Sequence, residues 1–130
     1  MNELQGPGPT SRVFFSQRLR LHYVDWGNST APPLVLLHGG RDHCRNWDWV
    51  AERLRTRWHV IAPDLRGHGD SEWSRTGTYN MIGYIYDLAQ LIQEARGRGG
   101  RPHDGDTSRA QDAADHPQER GAVELRIGVV

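Results

Sequence analysis

The sequence contains no lysine, so all 16 of its basic side chains are arginines. Sixteen acidic residues balance them to a formal net charge of zero, which excludes a global field that would attract nucleic acid, anionic lipid or a charged substrate. The arginines are scattered rather than clustered on one element, so their abundance indicates a compositional bias rather than an anion-binding surface. Any binding specificity must therefore be local.

Cysteine and long apolar runs are also scarce. Cys44 is the only cysteine, so no disulfide can form within the chain, and a cytoplasmic location is expected. No apolar run approaches the roughly 20 residues that cross a bilayer. Residues 1–11 are polar and rich in Gly and Pro, without the basic start or apolar centre of a signal peptide, and are expected to be flexible. The sequence therefore predicts no membrane partner.

A change of composition near residue 93 divides the chain. Residues 12–93 read as a folded α/β domain, whereas residues 94–130 are expected to be a low-complexity, disordered tail. From 94 to 121 there is no Val, Ile, Leu, Met, Phe, Trp, Tyr or Cys to offset the entropy of ordering. Residues 96–101 are similar to RGG-type RNA-binding segments, but six Arg face seven Asp and Glu over 94–130, which argues against a nucleic-acid partner. Residues 123–130 are compatible with a short strand of unknown pairing.

Hydrophobic patterning in the domain predicts four strands and two helices in an α/β layered fold. The four strands are expected at 13–15, 19–24, 34–37 and 58–62. The unbroken apolar run Leu34–Leu37 is typical of a strand covered on both faces, hence of a parallel sheet.

The two helices are expected after residues that can cap them, Asn46 and Thr78. The second helix is predicted to end near Gln93. Its core-facing stripe is expected to consist of Met81, Ile82, Ile85, Leu88, Ala89 and Ile92.

His38-Gly39-Gly40 follows the apolar strand directly. Such a turn brings backbone amides to the carboxyl edge of the sheet, where open α/β folds bind ligands. Amides placed there can stabilise the oxyanion that forms when an acyl carbonyl is attacked. A tight strand-to-helix turn without that role is the alternative interpretation.

The His-Gly-Gly turn, followed by the stretch Asp-Leu-Arg-Gly-His-Gly-Asp-Ser at 64–71, resembles the α/β-hydrolase superfamily over about residues 12–93. The epoxide hydrolases, haloalkane dehalogenases and small esterases are the most similar branch. The resemblance implies a small-molecule substrate with an ester, epoxide or carbon–halogen bond, and no cofactor. It places Gly39 and Gly40 at the oxyanion hole, with Arg41 bordering the pocket. The structural turn beside the site is implied to contain His38, Asp64, Arg66, Gly67, Gly69 and Ser71.

The same resemblance implies a further apolar strand and a nucleophile elbow, usually G-x-S-x-G, soon after the second helix. That pattern does not occur in the sequence, and no catalytic nucleophile, acid or histidine is recognisable. We therefore expect a hydrolase truncated or frameshifted after Gln93 and inactive as this chain. The alternative is a short non-catalytic interaction protein that binds a partner through its half-sheet. Without a fifth strand, Leu34–Leu37 would be an exposed edge that favours self-association.

Three residues carry donor atoms that could bind a metal. His38, His43 and Cys44 are close in sequence, but their spacing matches no common zinc pattern and a fourth ligand is missing. No metal site is therefore predicted.

Overall fold

The computed structural model of the chain describes residues 7–99 and 126–129. In chain order the strands are β1 (Thr10–Ser16), β2 (Leu19–Asp25), β3 (Pro33–Leu37), β4 (His59–Pro63) and β5 (Arg126–Val129). They form one mixed sheet in the order β1-β2-β4-β3-β5. The predicted α/β fold is confirmed, with one strand more than the four expected.

The first two strands, β1 and β2, form a hairpin at one side of the sheet. Ser16 opposes Leu19, so the loop consists of Gln17 and Arg18 alone, and both have positive φ, 49° and 67°. Two such residues make the type of turn whose twist matches the flanking strands. β2 pairs with β4 in antiparallel orientation, and β4 pairs with β3 in the predicted parallel orientation.

β5 pairs with β3 in parallel, from Leu34 opposite Arg126 to Leu37 opposite Val129. The expectation that Leu34–Leu37 would be an exposed edge is therefore wrong, because β3 lies between β4 and β5. Residues 126–129 supply the neighbouring strand that the pattern after Gln93 lacks.

Helices cover both faces of the sheet. A 3₁₀ helix at Cys44–Trp47 leads into α1 (Asp48–Leu54), and α2 spans Met81–Gly99. α2 thus continues beyond Gln93 and β5 lies at 126–129, whereas the other residues of the expected tail, 100–125 and 130, lie outside the described residues, as do residues 1–6. Neither α-helix has the length and apolar character that crossing a bilayer would require.

Neither predicted residue makes a capping hydrogen bond. His43, rather than Asn46, caps the 3₁₀ helix, because its Nδ1 accepts the N–H of Arg45 at 3.2 Å. At the start of α2 the side chain of Asn80 accepts the N–H of Gly83 at 2.8 Å. Asn80 therefore takes the role expected of Thr78.

The predicted core stripe of α2 is wrong for most of its members. Met81, Ile82 and Ile85 are 72%, 66% and 57% exposed. The buried positions of α2 recur every four residues and are Gly83, Asp87, Leu91 and Ala95. The helix is rotated because a charged side chain, Asp87, is drawn inward by an ion pair described below.

Two apolar clusters fill the space on either side of the sheet. The cluster beneath α2 consists of Phe14, Leu19, Leu21, Tyr23, Val35, Ile61, Leu91 and Ala95. The cluster beneath α1 consists of Val24, Trp26, Leu34, Leu36, Cys44, Ala51, Val60 and Ala62.

Candidate functional site

The candidate site begins where the chain leaves β3. His38 is buried, whereas Gly40 is exposed, and a side chain built on Gly40 would meet nothing within 4 Å. Among the described residues, no hydrogen bond to the Gly40 N–H is present. The turn therefore brings an uncommitted backbone donor to the carboxyl edge of the parallel strands.

Two histidines join this turn to the loop after β4. The N–H of Leu65 donates to Nε2 of His38 at 3.0 Å, and the N–H of Arg41 donates to Nε2 of His68 at 3.2 Å. The two imidazole centroids lie 4.9 Å apart. Each loop donates a backbone N–H to an imidazole of the other loop, which fixes their relative position from both sides.

These hydrogen bonds remove the amide of Arg41 from those available at the turn. A backbone N–H can only donate, so the Nε2 of each imidazole is unprotonated and the proton is on Nδ1. The Nδ1–H of His38 donates to the carbonyl oxygen of Gly39 at 2.7 Å. The N–H of Arg41 is already held by His68, whereas that of Gly40 has no partner among the described residues.

Asp64 follows β4 directly and is the centre of the other half of the site. Its side chain is buried, and Oδ1 accepts the N–H of Cys44 at 2.7 Å. Oδ2 accepts the N–H of Asp70 at 3.0 Å and the Nδ1–H of His22 at 2.7 Å. One carboxylate thus connects the 3₁₀ helix, the loop after β4 and strand β2.

This environment shifts the pKa values of Asp64 and Cys44 in opposite directions. Burial raises the pKa of the Asp64 carboxyl, but the hydrogen bonds donated to it outweigh burial and bring the pKa below its ordinary value of 3.8. Burial, followed by the negative charge of Asp64, raises the pKa of the Cys44 thiol. At neutral pH the carboxyl is therefore ionised and the thiol is protonated.

Ser71 closes the loop after β4. Its hydroxyl donates to the backbone oxygen of Asp64 at 2.6 Å and accepts the N–H of His22 at 2.9 Å. The Ser71 hydroxyl thus uses both its donor and its acceptor function, and the side chain is buried.

Two glycines of this loop have positive φ, 79° at Gly67 and 48° at Gly69. A Cβ on Gly67 would lie 2.7 Å from Cε1 of Tyr79, and one on Gly69 would overlap the carboxylate of Asp64. Both positions therefore combine a left-handed backbone with close packing, which only glycine tolerates without strain.

Arg66 points away from the turn, into the protein. Its guanidinium pairs with the carboxylate of Asp87 on α2 and donates to the carbonyl oxygen of Thr78 at 3.1 Å. The Asp87 carboxylate raises the pKa of Arg66, so the guanidinium is charged.

A cavity of about 290 Å³ lies between α2 and the sheet. Its polar lining comes from His38, Asp64, Arg66 and Asp87, and the remainder is mostly apolar. Arg41, expected to border the pocket, is exposed and does not line this cavity. The cavity therefore meets the site through His38 and the loop after β4.

The structure does not unite the donors of the metal hypothesis, His38, His43 and Cys44. Within the described residues, the group with donor atoms close enough to share an ion is His22, Cys44 and Asp64, whose atoms lie within 4.8 Å of one another. The hydrogen bonds given above already occupy the side chains of His22 and Asp64. We therefore describe this group as a hydrogen-bond network.

Sequence reasoning grouped the turn at 38–40 with the stretch at 64–71, and the structure brings these two segments into contact. It missed His68, which connects the two segments, and His22, which binds Asp64. The spacing gives no signal for either, because the contact of His22 with Asp64 depends on β2 lying beside β4 and that of His68 on the packing of the two loops.

A family model described as alpha/beta hydrolase fold matches residues 32–99. The chain is 50% identical over 73 residues to a soluble epoxide hydrolase of a Corynebacterium species, covering 56% of this chain and 24% of that protein. It is 37% identical over 87 residues to an esterase of Mycobacterium tuberculosis, covering 67% of this chain and 28% of that protein.

Solved structures of hydrolases are also similar to the chain. Epoxide hydrolase A from Mycobacterium thermoresistibile superimposes with a TM-score of 0.63 at 29% identity, over 68% of this chain and 28% of that one. An alpha/beta hydrolase from Novosphingobium aromaticivorans has a TM-score of 0.63 at 32% identity, over 68% and 32%. The chain spans about a quarter of the length of the curated relatives it matches.

Proposed function

The chain belongs to the α/β-hydrolase fold family, and on that premise we propose that it carries the oxyanion-binding part of a hydrolase of the epoxide-hydrolase and esterase branch. Similarity to an epoxide hydrolase and to an esterase supports this branch. The proposed substrate is a small molecule with an ester, epoxide or carbon–halogen bond. The single buried, free Cys44 supports a cytoplasmic location as part of the same proposal.

The observation that carries the proposal is the exposed, uncommitted N–H of Gly40 at the end of β3. A donor fixed in that place suits the negative oxygen that develops during attack on a carbonyl or epoxide. We assign the donor role to Gly40 and the shape of the turn to Gly39. The contacts described above support an architectural role for His38, Asp64, Arg66, Gly67, Gly69 and Ser71.

We further propose that the chain of 130 residues does not turn over substrate by itself. This fold divides catalysis among a nucleophile, a histidine, an acid and the oxyanion donors. The family's nucleophile motif does not occur in the sequence. The Gly40 turn is exposed, and a donor facing water contributes less than one in an enclosed site of low dielectric constant.

The test is hydrolysis of a p-nitrophenyl ester and of a styrene-type epoxide by the purified chain. We expect no multiple turnover above buffer, and no change when Gly40→Pro deletes the N–H. Saturable turnover that Gly40→Pro abolishes would refute the inactivity and would support Gly40 as an oxyanion donor.

An interrupted reading frame has its own test. The DNA after the codon for Gln93 is expected to encode, in another frame or beyond a small deletion, an apolar strand followed by G-x-S-x-G or an equivalent elbow. Three frames without such a strand over the following few hundred bases would contradict truncation.

A second candidate is a non-catalytic interaction protein, and the exposed apolar side chains of α2, rather than the expected half-sheet, favour it. Met81, Ile82, Ile85 and Tyr86 are each more than half exposed. Scattered single apolar residues are ordinary on surfaces, but contiguous ones mark interaction sites. This candidate predicts that Ile82→Asp and Ile85→Asp abolish co-purification with a full-length hydrolase of the same family, whereas Gly40→Pro does not.

A further inference from the structure

Ser11, His22 and Asp64 form a hydrogen-bonded chain on strands β1 and β2 and the loop after β4. Oγ of Ser11 lies 2.8 Å from Nε2 of His22, and Nδ1 of His22 lies 2.7 Å from Oδ2 of Asp64. A hydroxyl, an imidazole and a carboxylate joined in this order are the arrangement that activates a serine nucleophile. Such a triad is recognised by geometry and not by position in the sequence.

The direction of both hydrogen bonds follows from Asp64. An ionised carboxylate can only accept, so Nδ1 of His22 carries the proton and Nε2 of the neutral ring has a free lone pair. In the neutral ring, Nε2 then accepts the hydroxyl proton of Ser11. Three N–H donors hold Asp64 ionised, so its charge is available to stabilise an imidazolium at His22.

His22 is held firmly in this orientation. Its backbone N–H donates to Oγ of Ser71 at 2.9 Å, and its carbonyl oxygen accepts the N–H of Asp64 at 2.9 Å. The ring itself is bound at both nitrogens. A base whose backbone and side chain are both fixed loses little entropy when it takes a proton.

Ser11 is the open end of the chain. Ser11 opposes Val24 in the hairpin, which places it diagonally across from His22 on the same face of the sheet. β1 is an edge strand and Ser11 is exposed, whereas His22 and Asp64 are only 7% and 2% exposed. An electrophile from solvent can therefore reach the hydroxyl while the base and its partner stay covered.

We propose that Ser11 is a nucleophile toward activated esters, with His22 as its general base and Asp64 as a positioning residue. Oγ of Ser11 attacks the carbonyl carbon and its proton passes to Nε2 of His22. The bond from that carbon to the leaving oxygen then breaks, and the leaving group departs as the alkoxide or phenolate. The product is an ester on Ser11, and His22 returns its proton to the leaving group or to water.

Ser11 lies apart from the Gly40 turn, because β2 and β4 separate β1 from β3 in the sheet, although both sites include Asp64. The oxyanion donor proposed at Gly40 therefore does not serve Ser11. Without it the acyl group is expected to stay on Ser11, so the reaction stops after one equivalent. The inference consequently does not depend on the proposed hydrolase function and is compatible with the absence of multiple turnover.

A fluorophosphonate probe tests the proposal, since its phosphorus takes the place of the carbonyl carbon and fluoride that of the leaving group. With the folded chain we expect one adduct per chain, at Ser11 by peptide mass spectrometry. Base assistance contributes about 10²–10⁴-fold in such reactions, so Ser11 should react at least about 100-fold faster than Ser29, which lies in an exposed loop. Ser11→Ala should abolish the adduct and the matched Ser29→Ala should leave it unchanged.

A second pair of variants tests the role of His22 without disturbing the buried residues. Ser11→Cys should be alkylated by iodoacetamide at least about tenfold faster than Ser29→Cys at neutral pH, because the imidazole takes the thiol proton. Denaturant should remove the difference in both experiments, since the hydrogen-bonded chain exists only in the folded protein. Equal reactivity of residues 11 and 29 in the folded chain, with either probe, would overturn the proposal.

Discussion

Arg66 and Asp87 form a bidentate ion pair inside the protein. Nε of Arg66 lies 2.6 Å from Oδ2 of Asp87, and Nη2 lies 2.7 Å from Oδ1, with the side chains 2% and 5% exposed. Oγ of Ser16 also donates to Asp87 at 2.6 Å. The pair thus binds the loop after β4, helix α2 and the end of β1 to one another, and it determines which face of α2 meets the sheet.

Removing one partner of this pair is expected to be costly. Asp87→Ala should lower the free energy of unfolding by about 3–5 kcal/mol, because it leaves the Arg66 guanidinium buried without a counter-charge. The double replacement of Arg66 by Met and Asp87 by Leu should cost less than Asp87→Ala alone. Denaturant unfolding followed by circular dichroism measures both.

The surface pair of Arg45 and Asp48 supplies the control. Its side chains are 53% and 37% exposed, so Asp48→Ala should cost less than about 1 kcal/mol. Equal losses for Asp48→Ala and Asp87→Ala would contradict the importance of burial.

The strands were predictable because their signals are local. The apolar run at 34–37 and the alternation at 19–24 are properties of neighbouring residues, and both segments form strands. The face of α2 was not predictable in this way. Its apolar spacing favours Met81 and Ile85, but the ion pair between Asp87 and Arg66, 21 residues apart, turns the helix by an interaction that no local pattern contains.

Gly69 is expected to tolerate no side chain. Gly69→Ala places a Cβ against the carboxylate of Asp64 and also forces a left-handed backbone on alanine, which alone costs about 1–2 kcal/mol. Gly77→Ala is the matched control, since Gly77 has a φ of 68° but open space around it. The difference in unfolding free energy between the two variants measures the overlap. A loss at Gly69 no larger than at Gly77 would show that Asp64 moves aside freely.

Acid should destabilise the fold through Asp25 as well as Asp64. Burial raises the pKa of Asp25, but His59 and the N–H of Gly27 donate to its carboxylate, and the net pKa lies below 3.8. A carboxyl with a lower pKa in the folded state contributes stability that is complete above the unfolded pKa. That stability is lost as pH falls through the folded pKa.

Unfolding free energies measured between about pH 6 and about pH 2 test this linkage. Below about pH 4 the free energy of unfolding should fall less in Asp25→Asn than in the unchanged chain. The difference should be roughly 1.4 kcal/mol for each unit by which the folded and unfolded pKa values of Asp25 differ. An unchanged slope in Asp25→Asn would mean that this carboxyl titrates alike in the folded and unfolded states.

Only those parts of the candidate site that contain recognisable motifs were predictable from the sequence. Gly40 and the stretch 64–71 stand out as motifs, and the structure brings their segments into contact. Ser11 and His22 do not stand out, because each is an ordinary strand residue until the hairpin register sets them diagonally opposite. Their connection to Asp64 further requires β2 beside β4, which is a property of sheet order and not of spacing.

The pairing of β5 with β3 predicts how the sheet responds when residues 126–130 are deleted. The carbonyl oxygen of Pro32 accepts the N–H of His59 and therefore faces β4. Consecutive residues of a strand present their backbone groups to opposite sides, so the N–H groups of Val35 and Leu37 face β5. Hydrogen exchange at these two amides should accelerate in the shortened chain, while the amides of Leu34 and Leu36 and of the hairpin of β1 and β2 keep their protection. The bare edge of β3 is apolar, and such an edge pairs readily with another chain, so sedimentation should also detect concentration-dependent association. Unchanged exchange at Val35 and Leu37, in a shortened chain that remains monomeric, would mean that β5 does not protect β3 in solution.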